Sequence, residues 1–381
     1  MPVRRRLLHP IWLIASLPGY IGWRLLPALG VGPDGVLAGV ALLIAACIPI
    51  RWAVRVRSRQ HERFADRMAW VGFIAMGFFS SLFVATLLRD LFLLGARVAL
   101  PAGHAAALDT PSARWTVALT LMATAAGLVI ARRPRLVDVD IPIAQLPQAL
   151  HGFSIAQITD VHVGPTIKRG FVERIVERVN DLNADLIAVT GDLVDGSVPQ
   201  LSVHTAPLAK LSARHGAYFV TGNHEYYSGE RAWTRELGRL GLTVLKNEHV
   251  VLRHDGALLV LAGVNDFGAH HFDPAQRSDP AAALHGAPPN AGARILLAHQ
   301  PRSAPDASEA GFDLQICGHT HGGQFWPWNF FVRYFQPFTA GLHRLKNLWV
   351  YVSRGTGYWG PPNRFGVPSE ITRLRLVPAQ A

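Results

Sequence analysis

An uncharged stretch of 21 residues, 68–88, constrains this chain more than any other feature of its sequence. A helix of about 20 apolar residues is long enough to cross the hydrocarbon core of a bilayer. Three further apolar stretches lie in the same half of the chain, at 11–30, 35–54 and 115–131. These stretches contain no carboxylate pair, which favours an anchor over a transporter or channel. We therefore predict a transmembrane anchor domain of about four helices over residues 1–135, with the lipid bilayer as its partner.

The charged residues predict how these helices are oriented. Residues 1–135 hold 16 Lys or Arg against 5 Asp or Glu, whereas the remaining residues hold 21 of each. Cytoplasmic loops of membrane proteins collect Lys and Arg, and residues 51–67 carry six arginines. This predicts a multi-pass protein of a bacterial inner membrane with its C-terminal domain in the cytoplasm. If 11–30, which Pro18, Gly19 and Arg24 interrupt, does not insert, the C-terminal domain lies on the other side. Because the C-terminal domain has no net charge, we expect no nucleic-acid partner.

The pattern changes after a linker that we predict at 136–150. Short apolar runs now end abruptly in polar residues, as buried strands do. Five such runs are Phe153–Thr159, Leu186–Thr190, Tyr218–Thr221, Ile295–Ala298 and Leu314–Cys317. Between the first two, apolar residues from Phe171 to Leu182 recur at helical spacing. The pattern predicts an α/β domain over residues 151–381, with functional groups at the carboxyl ends of its strands.

The residues that follow these runs are of the types that bind metals. They are Asp160, His162, Asp192, Asp195, Asn223, His224, His299, His319 and His321. Divalent and trivalent metals accept such mixed sets of carboxylate, amide and imidazole ligands. In the pairs Asp160-x-His162 and His319-x-His321, we expect an extended backbone to place both side chains on one side. Taken singly, each Asp or Asn could be an ordinary turn residue.

The same residues carry a family resemblance. Asp160-Val-His162, Gly191-Asp192-Leu-Val-Asp195, Gly222-Asn223-His224-Glu225, Ala298-His299 and Gly318-His319-Thr-His321 resemble the five ordered motifs of the calcineurin-like metallophosphoesterase superfamily. The resemblance covers about residues 153–324. Gly322-Gly323-Gln324 and the tail from Ser353 to Glu370 resemble a branch of bacterial and eukaryotic members that are membrane-anchored.

The resemblance implies a four-layer α/β/β/α sandwich that hydrolyses phosphoester or pyrophosphate bonds. By motif position, one metal would be held by Asp160, His162, Asp192 and His321. A second would be held by Asp192, Asn223, His299 and His319, with Asp192 bridging. The two ions would be divalent or transition metals such as Mn, Fe or Zn.

Such a dinuclear centre predicts attack on phosphorus by a bridging hydroxide. His224 is the candidate that stabilises the phosphoryl oxygens or protonates the leaving group, and Asp195 could orient it. Arg364 could bind a substrate phosphate through its planar donors, or it could form an ion pair with Glu370.

The motifs bind phosphate and leave the rest of the substrate open. Membrane anchoring favours a lipid-linked phosphorylated substrate, and the resemblance implies UDP-2,3-diacylglucosamine as one candidate. The alternatives are a general phosphodiesterase or phosphatase, or a non-catalytic membrane sensor or scaffold with a metal-binding domain.

The segment 325–338 holds eight aromatic residues and a single charge, Arg333. It could be a loop that packs into the core. It could also lie at the bilayer interface, where Trp and Tyr are enriched.

Overall fold

A computed structural model describes residues 11–55 and 62–379. The chain forms two compact units. The first comprises Met1–Leu128 with Gly360–Asn363, and the second comprises Val129–Trp359 with Arg364–Ala381. The first unit is helical, and the second contains all the strands of the described residues.

The helices of the N-terminal part contain three of the four predicted apolar stretches, and the first helix ends at Leu25, before the end of the stretch predicted at 11–30. The helices are α1 (Ile11–Leu25), α2 (Pro33–Arg55), α3 (Glu62–Ala99), α4 (Ala102–Ala107) and α5 (Asp109–Ala131). Two segments are long and apolar enough to cross a membrane, Arg63–Ala99 and Ala102–Ala131, and Pro33–Ala46 is a shorter apolar helix. Large apolar side chains such as Leu37, Leu42 and Val98 are 70%, 68% and 85% exposed. Apolar side chains on the outside suit a lipid environment better than water.

Polar side chains of this unit lie inside it. Thr86 and Thr120 are buried, and their hydroxyls donate to carbonyls four residues earlier. Arg24 of α1 forms a two-pronged ion pair with Asp90 of α3, with both N–O distances 2.8 Å. The sequence analysis found no carboxylate pair in the apolar stretches. This ion pair joins two different helices, and its carboxylate, Asp90, lies beyond the end of the stretch 68–88.

The second unit is built from two six-stranded mixed sheets. Its strands are β1 (Arg135–Ile143), β2 (Ser154–Ile158), β3 (Leu186–Val189), β4 (Ala217–Phe219), β5 (Thr243–Val244), β6 (Glu248–His254), β7 (Ala257–Gly263), β8 (Ala293–Leu297), β9 (Leu314–Cys317), β10 (Gly341–Leu345), β11 (Leu348–Val352) and β12 (Glu370–Pro378). The strand order is β1-β12-β2-β3-β4-β5 in one sheet and β10-β11-β9-β8-β7-β6 in the other.

The helices of this unit are α6 (Arg169–Asn180), α7 (Val198–Thr205), α8 (Asn223–Ser228), α9 (Glu230–Arg239), α10 (Pro280–Leu284) and α11 (Ala304–Ala310). Apart from α8, they pack on the outer faces of the sheets. One apolar core joins the two sheets, as Ile155 and Leu186 pack with Ile295 and Leu314. A second core lies under α6 and α9, and a third under α10 and α11. This confirms the predicted four-layer α/β/β/α sandwich.

Residues 136–150, which we predicted to be a linker, contain most of β1. This strand pairs in parallel with β12 over its whole length and forms the edge of the first sheet. Pro142 is compatible with this position because an edge strand leaves one side of its backbone without ladder partners. The first sheet therefore begins at Arg135, and three residues separate it from the end of α5.

The sheet topology gathers the carboxyl ends of the five predicted strands. β2, β3 and β4 run parallel to one another in the first sheet, and β8 runs parallel to β9 in the second. The loops that follow these strands carry the residues predicted to bind metal. Since parallel strands end at the same edge of a sheet, the loops meet there.

Candidate metal centre

The first group of predicted ligands converges on one point. Ligand atoms of Asp160, His162 and His321 all lie within 4.8 Å of one another. The Nε2 atoms of the two histidines are 3.0 Å apart, and Nε2 of His321 lies 3.4 Å from Oδ1 of Asp160. All three residues are buried. One carboxylate and two imidazoles at this spacing form a plausible set for a single metal ion.

A second group lies beside the first. Ligand atoms of Asp192, His299 and His319 lie within 4.8 Å of one another. Nδ1 of His299 donates to the carbonyl of Thr190 at 2.8 Å, so Nε2 is the ring atom that faces the group. Oδ1 of Asn223 is buried and lacks a hydrogen-bond partner among the described residues. A buried oxygen without a hydrogen-bond partner costs free energy, and coordination to a metal ion would remove that cost.

One carboxylate oxygen faces both groups. Oδ2 of Asp192 lies 3.1 Å from Nε2 of His299 and 3.9 Å from Nε2 of His162. The other oxygen, Oδ1, accepts the backbone N–H of His224 at 2.8 Å. The structure therefore brings together six of the seven predicted ligands, with Asp192 between the two groups. The seventh, Asn223, directly follows Gly222, whose backbone lies against Asp192. The donor types of all seven residues fit metal ions.

The backbone at these ligands differs from our expectation. Asp160, His162, Asp192, His319 and His321 have φ values between 51° and 70°. We expected the two Asp-x-His and His-x-His pairs to be extended, but their residues lie in the left-handed region. This conformation is uncommon for residues other than glycine and clusters at functional sites. The side chains converge because of these tight turns and not because of strand alternation.

Asp195 holds two of the histidines. Its Oδ1 lies 2.5 Å from Nδ1 of His224 and 3.1 Å from Nδ1 of His162. The contact with His224 is the one predicted, and the contact with His162 was not foreseen. Burial would raise the pKa of Asp195, but the charges and hydrogen bonds of the two imidazoles lower it well below its usual range.

His224 lies at the rim of the centre. Its side chain is 16% exposed, whereas those of His162 and His299 are 1% and 0% exposed. Burial lowers its pKa, but the charge of Asp192 and the hydrogen bond to Asp195 outweigh it and raise the pKa to about 9. A partly exposed imidazole held by a carboxylate is suited to donating a proton or a hydrogen bond to a bound substrate.

Glu225 ties the second and third motif loops together. Its carboxylate accepts the backbone N–H groups of Asp192, Leu193 and Gly222 at 3.0, 2.8 and 2.7 Å. The side chain is fully buried, and burial together with the charge of Asp192 raises its pKa to about 8. These contacts give Glu225 a structural role in positioning Asp192.

Arg364 lies behind the metal centre and not at its opening. The side chain is fully buried, and its guanidinium donates to the carbonyls of His321, Arg354 and Gly357. A contact with a substrate phosphate was one of the two roles that we considered for Arg364. To make that contact, the guanidinium would have to leave these partners. The alternative ion pair with Glu370 is made instead by Arg354, at 2.9 Å.

The guanidinium of Arg364 also contacts a predicted ligand directly. Its Nη2 lies 2.8 Å from Nδ1 of His321. Burial and the adjacent guanidinium charge lower the pKa of His321 well below its usual value. Since a guanidinium can only donate, Nδ1 of His321 accepts this hydrogen bond, and the contact fixes the ring so that Nε2 faces Asp160 and His162. No local sequence pattern indicates this contact, because it joins residues 43 positions apart.

We expect Arg364→Lys to weaken metal binding by about 10- to 100-fold, the range seen when outer-shell partners of ligands are lost. A lysine keeps the charge but cannot donate to His321 and three carbonyls from one planar group. Isothermal titration of the metal-free protein with Mn²⁺ measures the affinity. Arg354→Lys is the matched control, since its ion pair with Glu370 can be kept. Equal affinities in both variants would contradict this role.

Asp266 is a further buried carboxylate that we did not predict. It follows β7 and accepts from Nε2 of Gln300 at 2.9 Å. Burial raises its pKa, and the charge of His299 opposes this shift. The signal that identified the ligands, a polar residue just after a buried strand, would also have found Asp266.

Glycines of the motifs allow the loops to approach one another. A Cβ atom on Gly222 would lie 2.2 Å from Oδ1 of Asp192, and one on Gly318 would lie 2.2 Å from Oδ2 of Asp160. In each carboxylate the other oxygen faces a ligand group, so moving the carboxylate would displace a predicted ligand. Gly222 and Gly318 are therefore steric requirements of the centre.

Gly222→Ala should lower the free energy of unfolding by about 1–3 kcal/mol, the usual cost of overpacking, and should weaken metal binding. Gly238→Ala is the matched control, because nothing lies within 4 Å of its Cβ position in α9. That control should be neutral or stabilising by roughly 0.5–1 kcal/mol. Urea unfolding of both variants measures the difference, and equal stability would contradict the steric account.

Comparison with known proteins agrees with this geometry. The profile of the calcineurin-like phosphoesterase family matches residues 153–323. The chain is 39% identical over 286 residues to a transmembrane protein with metallophosphoesterase domain of Danio rerio, covering 72% of this chain and 65% of that protein. It is 38% identical to the Bos taurus protein of the same name, covering 69% and 62%. The chain thus spans less than two thirds of the length of these two relatives.

A bacterial relative is covered more completely. The chain is 31% identical over 228 residues to an uncharacterized metallophosphoesterase of Aquifex aeolicus, which covers 58% of this chain and 84% of that protein. Residues 153–323, which the family profile matches, carry the motifs whose residues converge in the structure. The chain therefore belongs to the calcineurin-like metallophosphoesterase family.

Proposed function

We propose that this chain is a membrane-bound, metal-dependent hydrolase of phosphoester or pyrophosphate bonds with a dinuclear metal centre. The observation that carries the proposal is the placement of Oδ2 of Asp192 between His162 and His299. A single oxygen at this position can bridge two ions. Mn, Fe and Zn all suit the nitrogen and oxygen donors that surround it.

When bound, two such metals would stabilise the charge of the transferring phosphoryl group and make water acidic enough to attack at neutral pH. The chain's own residues supply the rest. His224 would donate to a phosphoryl oxygen or to the leaving group from the rim. Asp195 would hold the ring of His224 through Nδ1, which leaves Nε2 as the donor.

A lipid-linked phosphorylated substrate is the substrate class that we favour. Two relatives are named as transmembrane proteins, and this chain has two helices that are long and apolar enough to span. UDP-2,3-diacylglucosamine is one candidate of this class. A general phosphodiesterase or phosphatase is the alternative within the family. The chain has every predicted metal ligand and also His224, the predicted proton donor. These residues argue against the alternative of a non-catalytic membrane sensor.

We also propose that the protein is multi-pass, with its hydrolase domain on the same side of the membrane as the N-terminus. Arg24 near the end of α1 pairs with Asp90 late in α3, and Arg89 pairs with Asp109 at the start of α5 at 2.6 Å. Hence α1 and α3 run in the same direction and α5 runs opposite to them. Four crossings in this arrangement return the chain to its starting side, and the positive-inside rule makes that side cytoplasmic.

Reporter fusions at the C-terminus should show this orientation in a bacterial host. A green fluorescent protein fusion should fluoresce, because that protein folds in the cytoplasm. A fusion to alkaline phosphatase should be inactive, because that enzyme needs the periplasm to form its disulfides. The reverse result would place the C-terminus in the periplasm and would overturn the proposed orientation.

The catalytic proposal is tested with the full chain purified in detergent. Hydrolysis of bis(p-nitrophenyl) phosphate and of the p-nitrophenyl monoester is measured with added Mn²⁺ and with EDTA. We expect turnover that requires metal, and the ratio of the two rates separates diesterase from monoesterase activity. Bound metal without turnover of these esters or of lipid pyrophosphates would favour a sensor.

A further inference from the structure

The aromatic segment 325–338 divides into a buried part and an exposed part. Phe325 is 6% exposed, and Phe338 packs against the core under α10 and α11. Five residues between them are exposed to solvent and define what we call the aromatic surface. These are Trp328 (37%), Phe330 (53%), Phe331 (49%), Tyr334 (69%) and Phe335 (70%). The expectation of a core-packing loop thus holds for the ends of the segment and fails for its middle.

Both ends of the segment are fixed beside the metal centre. A Cβ atom on Gly323 would lie 2.3 Å from Cα of Asn329, so the two backbones are in close contact. At the other end, the hydroxyl of Thr320 donates to the carbonyl of Thr339 at 2.5 Å. Thr320 lies between the predicted ligands His319 and His321. The aromatic surface is therefore held next to the loop that carries these ligands.

Further exposed aromatic rings connect this surface to the opening of the site. Trp359 is 56% exposed, and its ring centroid lies 5.7 Å from that of His224. Its backbone exchanges two hydrogen bonds with the side chain of Gln324, at 2.8 and 2.9 Å. The ring of Tyr227 is 50% exposed, and its centroid lies 5.3 Å from that of His224.

The charges near the aromatic surface are basic. Arg333 lies over the ring of Tyr334, with its guanidinium carbon 5.2 Å from the centroid. Arg302 is exposed and donates to the carbonyl of Phe335 at 2.8 Å. The segment 325–338 contains no acidic residue. Exposed aromatic rings together with arginines match the headgroup region of a membrane, which is amphipathic and often anionic.

We propose that the aromatic surface lies in the headgroup region of the bilayer and brings the metal centre to phosphoesters carried by lipids. This inference rests on the proposed function, whose substrate class it makes specific. A lipid surface explains the observations better than a second copy of the chain. The exposed rings are accompanied by arginines and by no carboxylate within the segment, and the chain has helices that can anchor it in a bilayer.

The test is a fluorescence measurement on the full chain in lipid nanodiscs. A Cys47→Ser background removes one thiol, and Cys317 is buried. Phe335→Cys is labelled with an environment-sensitive dye, and lipids carrying a nitroxide near the headgroup are included. Val203→Cys, at a position 55% exposed on α7, is the matched control. We expect several-fold stronger quenching at position 335 than at position 203.

Equal quenching at the two positions would overturn the proposal. A second result would also overturn it: the dye at position 335 is shielded from the nitroxide lipids, and its fluorescence depends on the number of chains per disc. That result would indicate that a second copy of the chain covers the surface. Hydrolysis of bis(p-nitrophenyl) phosphate is measured on the same discs. Strong quenching without hydrolysis would support the surface and count against the proposed function. Hydrolysis without quenching would support the proposed function and overturn the membrane contact of the aromatic surface.

Discussion

Asp192→Asn should abolish metal-dependent hydrolysis while leaving the fold intact. The carboxylate presents one oxygen to both ligand groups and the other to the backbone of His224. An amide has almost the same shape but no charge, so it cannot bridge two cations. In the proposed dinuclear centre the metals would supply several kcal/mol of transition-state stabilisation, so we expect kcat/KM to fall by about 10³-fold or more.

This result is measured with bis(p-nitrophenyl) phosphate at saturating Mn²⁺, together with metal content by elemental analysis. Asp140→Asn is the matched control, because Asp140 lies exposed on β1 and forms an ion pair with Arg375. The control should keep full activity. A variant Asp192→Asn that keeps both its metal and its turnover would rule out a bridging role for this residue.

His224→Ala should lower kcat by about 10²- to 10⁴-fold, the usual contribution of a positioned acid or base. Metal content should not change, because the ring is held by Asp195 at the rim and is not one of the seven predicted ligands. His285→Ala, an exposed histidine, should behave as the unsubstituted chain. If His224→Ala loses metal, the residue acts as a ligand and the catalytic assignment is wrong.

Asp195→Asn separates two effects that His224→Ala cannot. Asp195 contacts both His224 and the predicted ligand His162. We therefore expect this variant to lose turnover and, in addition, to bind metal more weakly. The double variant with His224→Ala should lose less than the two single losses combined, because both act on one contact.

Much of the fold and most of the ligand set could be predicted because both leave a local signal. Strands such as β3 and β9 are buried on both faces and read as short apolar runs that end in polar residues. The ordered motifs then assign each ligand to a loop. The structure places those loops together as the motifs imply.

What could not be predicted depends on contacts between distant residues. The role of Arg364 rests on its packing against His321, and nothing local distinguishes it from a surface arginine. β1 was mistaken for a linker since its outward side chains are polar and it contains a proline. Its cross-strand ion pairs, such as Asp138 with Arg373, join positions 235 residues apart. The left-handed backbone of the ligands is likewise imposed by the turns around them.

The position of β12 bears on how this protein is made. β12 follows the other strands of the described residues in the chain, yet it lies between β1 and β2 inside the first sheet. Until residues 370–378 have been synthesised, β1 lacks the strand with which it pairs. Closing such long loops is slow and exposes unpaired strands. The first sheet can therefore close only after residues 370–378 have left the ribosome, and a truncation before residue 370 would remove an interior strand.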